Sequence, residues 1–365
     1  MIKNCSLGAA AALAFALSTA SAEEPDGRAA LAPLFADDSV LAVTIEAPIE
    51  TLMDVRPDKA YLQGRLIFAD TDSNQMVIGL KLRTRGNYRR DPEHCSFAPI
   101  LLNLKKGDTV DTLFAGQDKL KLVTHCKNAV PGYEQILLRE YLAYRLFQEL
   151  TSVSYATRLL HVTYTDPTGK SLTRYGFVIE EQKSVAKRNG MKIVKTRYLH
   201  ESMIDPWQQS LVHVFQYMIG NTEYSLVNPE PKKNCCHNAD VLSLSPDKEP
   251  PFTPLPFDFD FSGLVSAPYA EPNPRYPIDD VRQRFYRGLC TANGMLPETL
   301  QLFIQKKDAL YRIVDGLEPA SKRSKARVRG YLDSFYEEIE DPKQVQEDLV
   351  DQCYESNRPI PDTDA

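Results

Sequence analysis

Residues 256–263, which read Pro-Phe-Asp-Phe-Asp-Phe-Ser-Gly, alternate aromatic rings with carboxylates and carry the side chains best suited to metal chemistry. Successive residues of a strand point to opposite faces, so the three phenylalanines are expected to enter a core. Asp258 and Asp260 then share the other face, roughly 7 Å apart. Mg²⁺ keeps several waters and takes few protein ligands, which suits two carboxylates with room for water. This stretch therefore predicts a divalent-metal site, and the alternative is an edge strand with a solvated acidic face.

Two polar residues upstream complete a pattern typical of phosphoryl transfer. Glu223 follows a predicted helix that ends at Gly220, and Asn238 stands about 15 residues further on, before the two aspartates. In such sites an acid orients or deprotonates the acceptor hydroxyl. An amide and a later carboxylate hold the metal ions that bridge the phosphates. The order of these residue types favours a phosphotransferase.

The spacing of apolar residues indicates which elements carry these side chains, and it changes along the chain from the period of a strand to that of a helix. Strand-like alternation runs over residues 39–126 and returns in two shorter segments, residues 158–164 and 173–181. Between them, leucines at every fourth position predict an amphipathic helix over residues 133–150 that packs on the sheet. Further helices are predicted over residues 207–220, 278–289, 297–317 and 321–340.

A strand-rich first part followed by a helix-rich second part is typical of an α+β fold with two lobes. We expect an antiparallel-sheet lobe over residues 38–190 and a mostly helical lobe with the metal and catalytic loops over residues 191–345. A polar tail over residues 346–365 follows.

The N-terminus predicts export. Residues 1–22 combine a single early lysine, an apolar run and a small-x-small ending, which is the pattern of a secretory signal peptide; the apolar run is too short for a membrane anchor. Residues 23–37 are expected to form a flexible leader. No later stretch is apolar enough to insert into a membrane, so a periplasmic or secreted location is predicted.

Charge and cysteine content narrow the class of protein. A formal net charge of −6 disfavours general nucleic-acid binding. Six cysteines follow the predicted signal peptide, and an even number in an oxidising compartment predicts disulfides. A bridge between Cys95 and Cys126 is plausible, although the sequence leaves the pairing open. The alternative is a zinc site around Cys235-Cys236-His237, which is disfavoured because adjacent cysteines are poor joint ligands.

The order of short motifs resembles the CotH family of secreted atypical protein kinases, which is distantly similar to HipA-type kinases. The matching segments are residues 82–87, 119–122, 138–150, 175–180, 219–223 and 257–261. The resemblance implies a two-lobed kinase-like fold that binds ATP with Mg²⁺ or Mn²⁺. It also implies transfer of the γ-phosphate to a protein or another hydroxyl acceptor.

The resemblance further implies roles for individual residues. Arg85 and Asn87 would lie near the phosphates, and Glu140 would pair with a phosphate-binding lysine. Glu180 would stand at the hinge between the lobes. Asp258 would be the principal metal ligand with Asn238 as its helper, while Asp260 supports it or binds a second metal ion, and Glu223 would serve the acceptor.

The chain departs from the family pattern at two positions. Glu223 stands where the family has aspartate, and Asn103 stands at the expected lysine, so that Lys105 or Lys121 would have to bind the phosphates. The alternative function is therefore a catalytically degenerate pseudokinase that acts as a binding or scaffolding module of the cell envelope. A secreted hydrolase is disfavoured because neither Gly-x-Ser-x-Gly nor His-Glu-x-x-His occurs.

Overall fold

A computed structural model describes residues 31–70, 72–130, 132–229 and 233–356 of the chain. The predicted signal peptide, the first part of the predicted leader and residues 357–365 of the predicted tail lie outside the described residues. Leu34 and Phe35, within the predicted leader, are buried in the first hydrophobic core. The packed chain therefore begins before the predicted boundary at residue 38.

The first seven strands form a closed barrel around that core. They are β1 (Leu41–Glu46), β2 (Leu62–Ala69), β3 (Gln75–Thr84), β4 (Ile100–Leu104), β5 (Lys119–Val123), β6 (Thr157–Thr165) and β7 (Ser171–Ile179). Their order around the barrel is β1-β2-β3-β4-β5-β7-β6. Neighbouring strands are antiparallel except β1 and β6, which run parallel and close the sheet.

This closure shows that the prediction of a two-lobed kinase-like fold with an antiparallel-sheet lobe is wrong. The sheet is a mixed, closed barrel because β1 pairs with β6 along its whole length, from Leu41 opposite Leu160 to Glu46 opposite Thr165. Closure satisfies the backbone groups that an open sheet would leave at its edges. The alternation of side chains identifies strands but carries no information about which distant edges meet.

Eight α-helices accompany the barrel in the described residues. They are α1 (Ile49–Val55), α2 (Lys106–Thr109), α3 (Gly132–Leu150), α4 (Gln182–Arg188), α5 (Pro206–Met218), α6 (Leu296–Gly316), α7 (Lys322–Glu340) and α8 (Pro342–Gln344). The predicted helices at α3, α5, α6 and α7 are confirmed. The sequence also specifies helix starts: the Asp205 side chain caps α5 through the Gln208 amide, and Ser321 caps α7 through the Ser324 amide.

Helix α3 joins the barrel to the rest of the molecule. It packs against β6 and β7 on one side and against α6 and α7 on the other. Its apolar side chains belong to a second core, which also contains residues of α5, α6 and α7. A small sheet of β8 (Lys192–Val194), β9 (Ala239–Ser243) and β10 (Phe252–Pro256), in the order β10-β9-β8, lies in this second part. The site described below lies where α3, the barrel and this small sheet meet.

The helix predicted over residues 278–289 is wrong, because this segment is irregular. Ile278, Tyr286 and Leu289 are buried and suggest a helical period. The backbone is instead held by local contacts, such as the amide of Asp279 donating to the side chain of Gln283. Among the helices described, none combines the length and hydrophobicity that a membrane span requires.

All six cysteines in the described residues form disulfides. The predicted Cys95–Cys126 bridge is confirmed, and the other pairs are Cys235–Cys236 and Cys290–Cys353. The alternative zinc site is wrong in this state of the protein, because Cys235 and Cys236 are bonded to each other and offer no thiolate.

Candidate functional site

The acidic stretch after β10 is a turn, and the prediction of a strand over residues 257–261 is wrong. The strand ends at Pro256, and Asp258 has a left-handed backbone with φ 63°. Phe259 is fully buried, with its ring 4.7 Å from that of Tyr144 on α3. The hydroxyl oxygen of Tyr144 also accepts the amide of Asp258 at 2.9 Å. The turn is therefore fixed to α3 at the position of both aspartates.

Three carboxylates meet at this turn. Glu140 comes from α3, and its carboxylate oxygens approach those of Asp258 and Asp260 so closely that one atom from each lies within 4.8 Å of the others. Glu140 and Asp260 are buried, whereas the Asp258 side chain is 47% exposed. Asp258 is thus the member of the group that an incoming cation can reach.

Arg89 is the cation that already faces these carboxylates. It lies in a short 3₁₀ turn (Tyr88–Arg90) and is 8% exposed. Its two terminal nitrogens donate to the two oxygens of Glu140 at 2.9 and 3.2 Å, a bidentate pairing. Its Nε lies 3.4 Å from Asp260 Oδ2, and Nη2 lies 4.0 Å from Asp258 Oδ1. The prediction that Glu140 pairs with a lysine is wrong, since its partner is Arg89.

The charges of this group are strongly coupled. Burial raises the pKa of Asp260, the neighbouring Asp258 raises it further, and Arg89 opposes both. Burial likewise raises the pKa of Glu140 against the opposing effect of Arg89. Although burial alone would lower the pKa of Arg89, Asp260 and Glu140 raise it well above its ordinary value, so the guanidinium remains charged. Arg85 is a second cation near this group, since burial lowers its pKa while Asp258 and Glu140 both act electrostatically to raise it.

A cleft of about 710 Å³ opens beside the three carboxylates. It brings together six of the residues singled out in the sequence, namely Arg85, Asn87, Glu223, Asn238, Asp258 and Asp260. Arg85 and Asn87 lie between β3 and β4, where Gly86 has φ 82° and leaves open space. Arg85 and the carboxylates thus line the same cleft, and Asp258 acts electrostatically on Arg85.

Asn238 ties the remaining residues together. Its Nδ2 donates to the carbonyl oxygen of Glu223 at 2.8 Å, and its own carbonyl oxygen accepts the amide of Phe257 at 3.0 Å. Asn238 therefore bonds both to Glu223 and to Phe257, the residue that precedes Asp258. The Oδ1 atom of Asn238 takes no part in either bond, and Asn238 lines the same cleft as Asp258 and Asp260.

The two lysines considered for phosphate binding lie in different places. Lys121 is half-buried on β5, with its Nζ 5.2 Å from the centre of the Phe257 ring at the edge of the cleft. Burial lowers its pKa, and the carboxylates of Asp240 and Asp258 oppose this. Lys105 is exposed and pairs with Asp108 at 3.0 Å. It does not line the cleft, so its expected role at the phosphates is wrong.

Glu180 also lies away from the cleft. It is 3% exposed at the end of β7, where its carboxylate accepts the Ala156 amide at 3.1 Å and the Nε of Arg188 at 3.1 Å. These contacts join the barrel to α4, and they account for the burial of the carboxylate without a ligand.

Sequence reasoning missed two residues that bond with the carboxylates of the site. Arg89 pairs with the carboxylates, and the Tyr269 hydroxyl donates to Asp260 Oδ2 at 3.1 Å. The available signal for Arg89 was a pair of adjacent arginines four residues after Arg85. Nothing in the sequence indicates a role for Tyr269, because only the conformation of a loop brings its hydroxyl to Asp260.

Comparison of the sequence with protein-family models and with curated proteins found no match.

Proposed function

We propose that the cleft binds ATP together with a divalent metal ion and that the protein transfers the terminal phosphoryl group to a hydroxyl acceptor. The observation that carries this proposal is the presence of Asp258, Asn238, Glu223 and Arg85 around one cleft. The order of short motifs, which resembles that of the CotH family, supports the same function. The overall fold contributes nothing to the proposal.

The donor set at the carboxylate end suits Mg²⁺ or Mn²⁺. Both ions prefer oxygen ligands, and the residues that would hold one are Asp258, Asp260 and the Oδ1 of Asn238. Glu140 is unsuitable because Arg89 binds both of its carboxylate oxygens. When bound, the ion would offset the negative charge of the phosphates and fix their position.

The cationic end supplies the phosphate contacts. Arg85 carries a planar guanidinium that suits bidentate binding of phosphate oxygens. Gly86 has no side chain, and open space surrounds the position of its absent Cβ, so backbone there can approach a phosphate closely. Lys121 adds a positive charge beside Phe257 at the cleft edge, and Asn87 offers an exposed amide. These residues would orient the nucleotide, leaving Glu223 to act on the acceptor.

Glu223 is the proposed general base. Its carboxylate would accept the proton of the acceptor hydroxyl as the phosphoryl group is transferred. The chemical class of the acceptor is a hydroxyl, as on a protein serine or threonine. The site thus requires two partners, a nucleotide and an acceptor.

The first test is a thermal-shift titration of the oxidised protein with ATP and Mg²⁺ or Mn²⁺. A ligand at 100 times its dissociation constant stabilises the folded state by about 2.7 kcal/mol, which is readily measured. We expect this stabilisation to require the metal, to be lost in Asp258→Ala and to persist in Asp247→Ala, an exposed control outside the cleft. Transfer of labelled phosphate should follow the same pattern. The absence of any metal-dependent shift in the wild-type protein would contradict nucleotide binding.

Metal binding is expected to depend on pH. Burial raises the pKa of Asp260 above its ordinary value of 3.8, and a proton on this carboxylate must leave before a metal binds. The affinity for Mn²⁺ should therefore rise with pH from about 4, by up to about tenfold per pH unit, until the raised pKa of Asp260 is passed. Calorimetric titrations at a series of pH values measure this slope. Asp260→Asn should weaken binding and flatten the slope, whereas a slope unchanged in that variant would show that another group supplies the proton.

A second candidate function is a non-catalytic nucleotide- or metal-binding module of the cell envelope. The observation that favours it over catalysis is Arg89, which pairs with Glu140 and Asp260 and so competes with the metal ion that phosphoryl transfer requires. Stabilisation by metal and ATP without phosphate transfer would distinguish this function from the first. Three disulfides fit an oxidising compartment, and we propose a periplasmic or secreted location for either function.

A further inference from the structure

The backbone around Glu223 is held by an arginine that does not line the cleft. Arg287 lies in the irregular segment before α6, and its Nη1 donates to the carbonyl oxygen of Thr222 at 2.7 Å. The same nitrogen also donates to the carbonyl oxygen of Tyr224. These two carbonyls stand immediately before and after Glu223. A single nitrogen therefore fixes both sides of the residue proposed as general base.

Two tyrosine rings hold the guanidinium in this position. The Arg287 guanidinium lies 4.9 Å from the ring centre of Tyr224 and 4.8 Å from that of Tyr276. Tyr224 is itself buried, and its hydroxyl bonds with the Nδ1 of His213 at 2.8 Å. Burial lowers the pKa of His213 to about 3, so this histidine is neutral and does not repel the guanidinium at ordinary pH.

The remaining backbone groups of Glu223 are also bound by side chains. Its amide donates to Asn221 Oδ1 at 2.9 Å, and its carbonyl oxygen accepts from Asn238. No helix or strand includes residues 221–224. The conformation of this loop therefore depends on a few specific side-chain bonds, and each of them is a point at which the position of Glu223 can be altered.

The segment that carries Arg287 is anchored to the C-terminal part of the described chain. The amide of Tyr354 donates to the carbonyl oxygen of Gly288 at 3.0 Å, and the amide of Cys290 donates to that of Tyr354 at 3.1 Å. The Cys290–Cys353 disulfide joins the same two segments covalently. Arg287 thus stands next to a bridge that holds its backbone in place.

We infer that Arg287 is a positioning residue for Glu223 and that the Cys290–Cys353 disulfide holds the backbone of the Arg287 segment in position. This inference rests on the proposed role of Glu223 in phosphoryl transfer. A displacement of about 1 Å at a reacting group can cost on the order of 100-fold in rate, and the Thr222 and Tyr224 carbonyls set the direction of the Glu223 side chain.

The test compares Arg287→Met, Arg287→Lys and the control Arg282→Met in the oxidised full chain. Arg287→Met should lower kcat by about 100-fold while the metal-dependent affinity for ATP changes by less than about threefold. Arg287→Lys should recover most of the activity, because both bonds come from one nitrogen that a lysine ammonium can replace. Arg282 is exposed in the same segment and pairs with Asp280, so its replacement should leave kcat unchanged.

A second variant covers the case in which Arg287→Met does not fold. Replacing Cys290 and Cys353 together with alanine should lower kcat by about tenfold and speed amide hydrogen exchange in residues 222–225. Unchanged exchange in this segment, or unchanged kcat in Arg287→Met, would overturn the inference. A loss of ATP affinity equal to the loss of kcat would also overturn it, since that result indicates general disruption.

The outcomes separate the inference from the proposed function. If the wild-type protein transfers phosphate and the Arg287 variants behave like wild type, only the inference fails. If the wild-type protein binds metal and ATP but transfers nothing, the general-base role of Glu223 fails and the inference fails with it. If wild type shows no metal-dependent ATP binding, the proposed function fails at its first step.

Discussion

Arg89→Met is expected to lower the free energy of unfolding by about 3–5 kcal/mol at pH 7.5, the cost typical of removing one partner from a buried ion pair. The guanidinium is 8% exposed and faces Glu140 and Asp260, which are both buried. Without it, Glu140 and Asp260 would lie in the interior with no guanidinium bonded to them, and solvent cannot reach them to compensate. Methionine fills a similar volume, so the effect is electrostatic in origin. Denaturant unfolding followed by circular dichroism measures it.

The destabilisation should depend on pH in a defined direction. Burial already raises the folded-state pKa values of Glu140 and Asp260 above their ordinary values, and loss of Arg89 would raise them further. The folded variant would then bind more protons than the unfolded chain between the ordinary and the raised pKa values. Its stability therefore rises as pH falls through that range, so the difference from wild type should shrink between pH 7.5 and pH 5.

Two matched variants test the origin of the effect. Arg90 is the adjacent arginine, half-exposed and paired with Asp58 at 3.1 Å, and Arg90→Met should cost less than about 1 kcal/mol. Adding Glu140→Gln to Arg89→Met should restore part of the lost stability, because it removes one unpaired charge. Equal losses for Arg89→Met at pH 5 and pH 7.5, with no recovery in the double variant, would contradict the electrostatic explanation.

Local features of the fold were predictable because their causes are local. The leucine spacing that defines α3 reflects packing of one helix face, and the prediction differs from the structure by a single residue at the start. The Cys95–Cys126 bridge joins the loop before β4 to the residues just after β5, and the strand pattern predicts both of these neighbouring strands. Such inferences depend only on residues close together in sequence or on one pair of elements.

Closure of the barrel was not predictable in the same way. The contact that closes it joins β1 to β6 in parallel, and nothing in the alternation of Leu41 to Glu46 distinguishes this partner from an open edge. The strand predicted around Asp258 is wrong for a related reason. Alternating rings and acids fit a strand, yet the contact with Tyr144 and the buried Phe259 ring fix a left-handed residue there.

The residue types of the candidate site were predictable from the sequence, but the contacts that these residues make with one another were less so. Asp258, Asp260, Asn238 and Glu223 were selected because metal and proton chemistry requires carboxylates and amides in that order, and they line one cleft. The partner of Glu140 was assigned to a lysine on a strand, whereas the 3₁₀ turn at Arg89 delivers an arginine from a loop. Loop geometry depends on contacts from several elements at once, so residue spacing gives little guidance there.

Glu223→Gln is expected to lower the rate of phosphate transfer by about 10²–10⁴-fold, the range typical of removing a positioned general base. The amide keeps the size of the side chain but cannot accept the hydroxyl proton. Because Asn238 and Arg287 bind the backbone around residue 223, the loop should keep its conformation, and metal-dependent stabilisation by ATP should be unchanged. Rate and binding are measured on the same preparation by labelled-phosphate transfer and thermal shift.

Glu223→Asp provides the matched control, since it keeps the carboxylate and shortens the side chain by one methylene group. The fixed backbone cannot move to compensate, so this variant should lose up to about 100-fold in rate and still exceed Glu223→Gln. Equal rates for wild type and Glu223→Gln would exclude Glu223 as the base. A faster rate for Glu223→Asp than for wild type would instead show that the glutamate side chain is too long to place its carboxylate well for the acceptor hydroxyl. The cleft would then suit the aspartate expected from the family pattern.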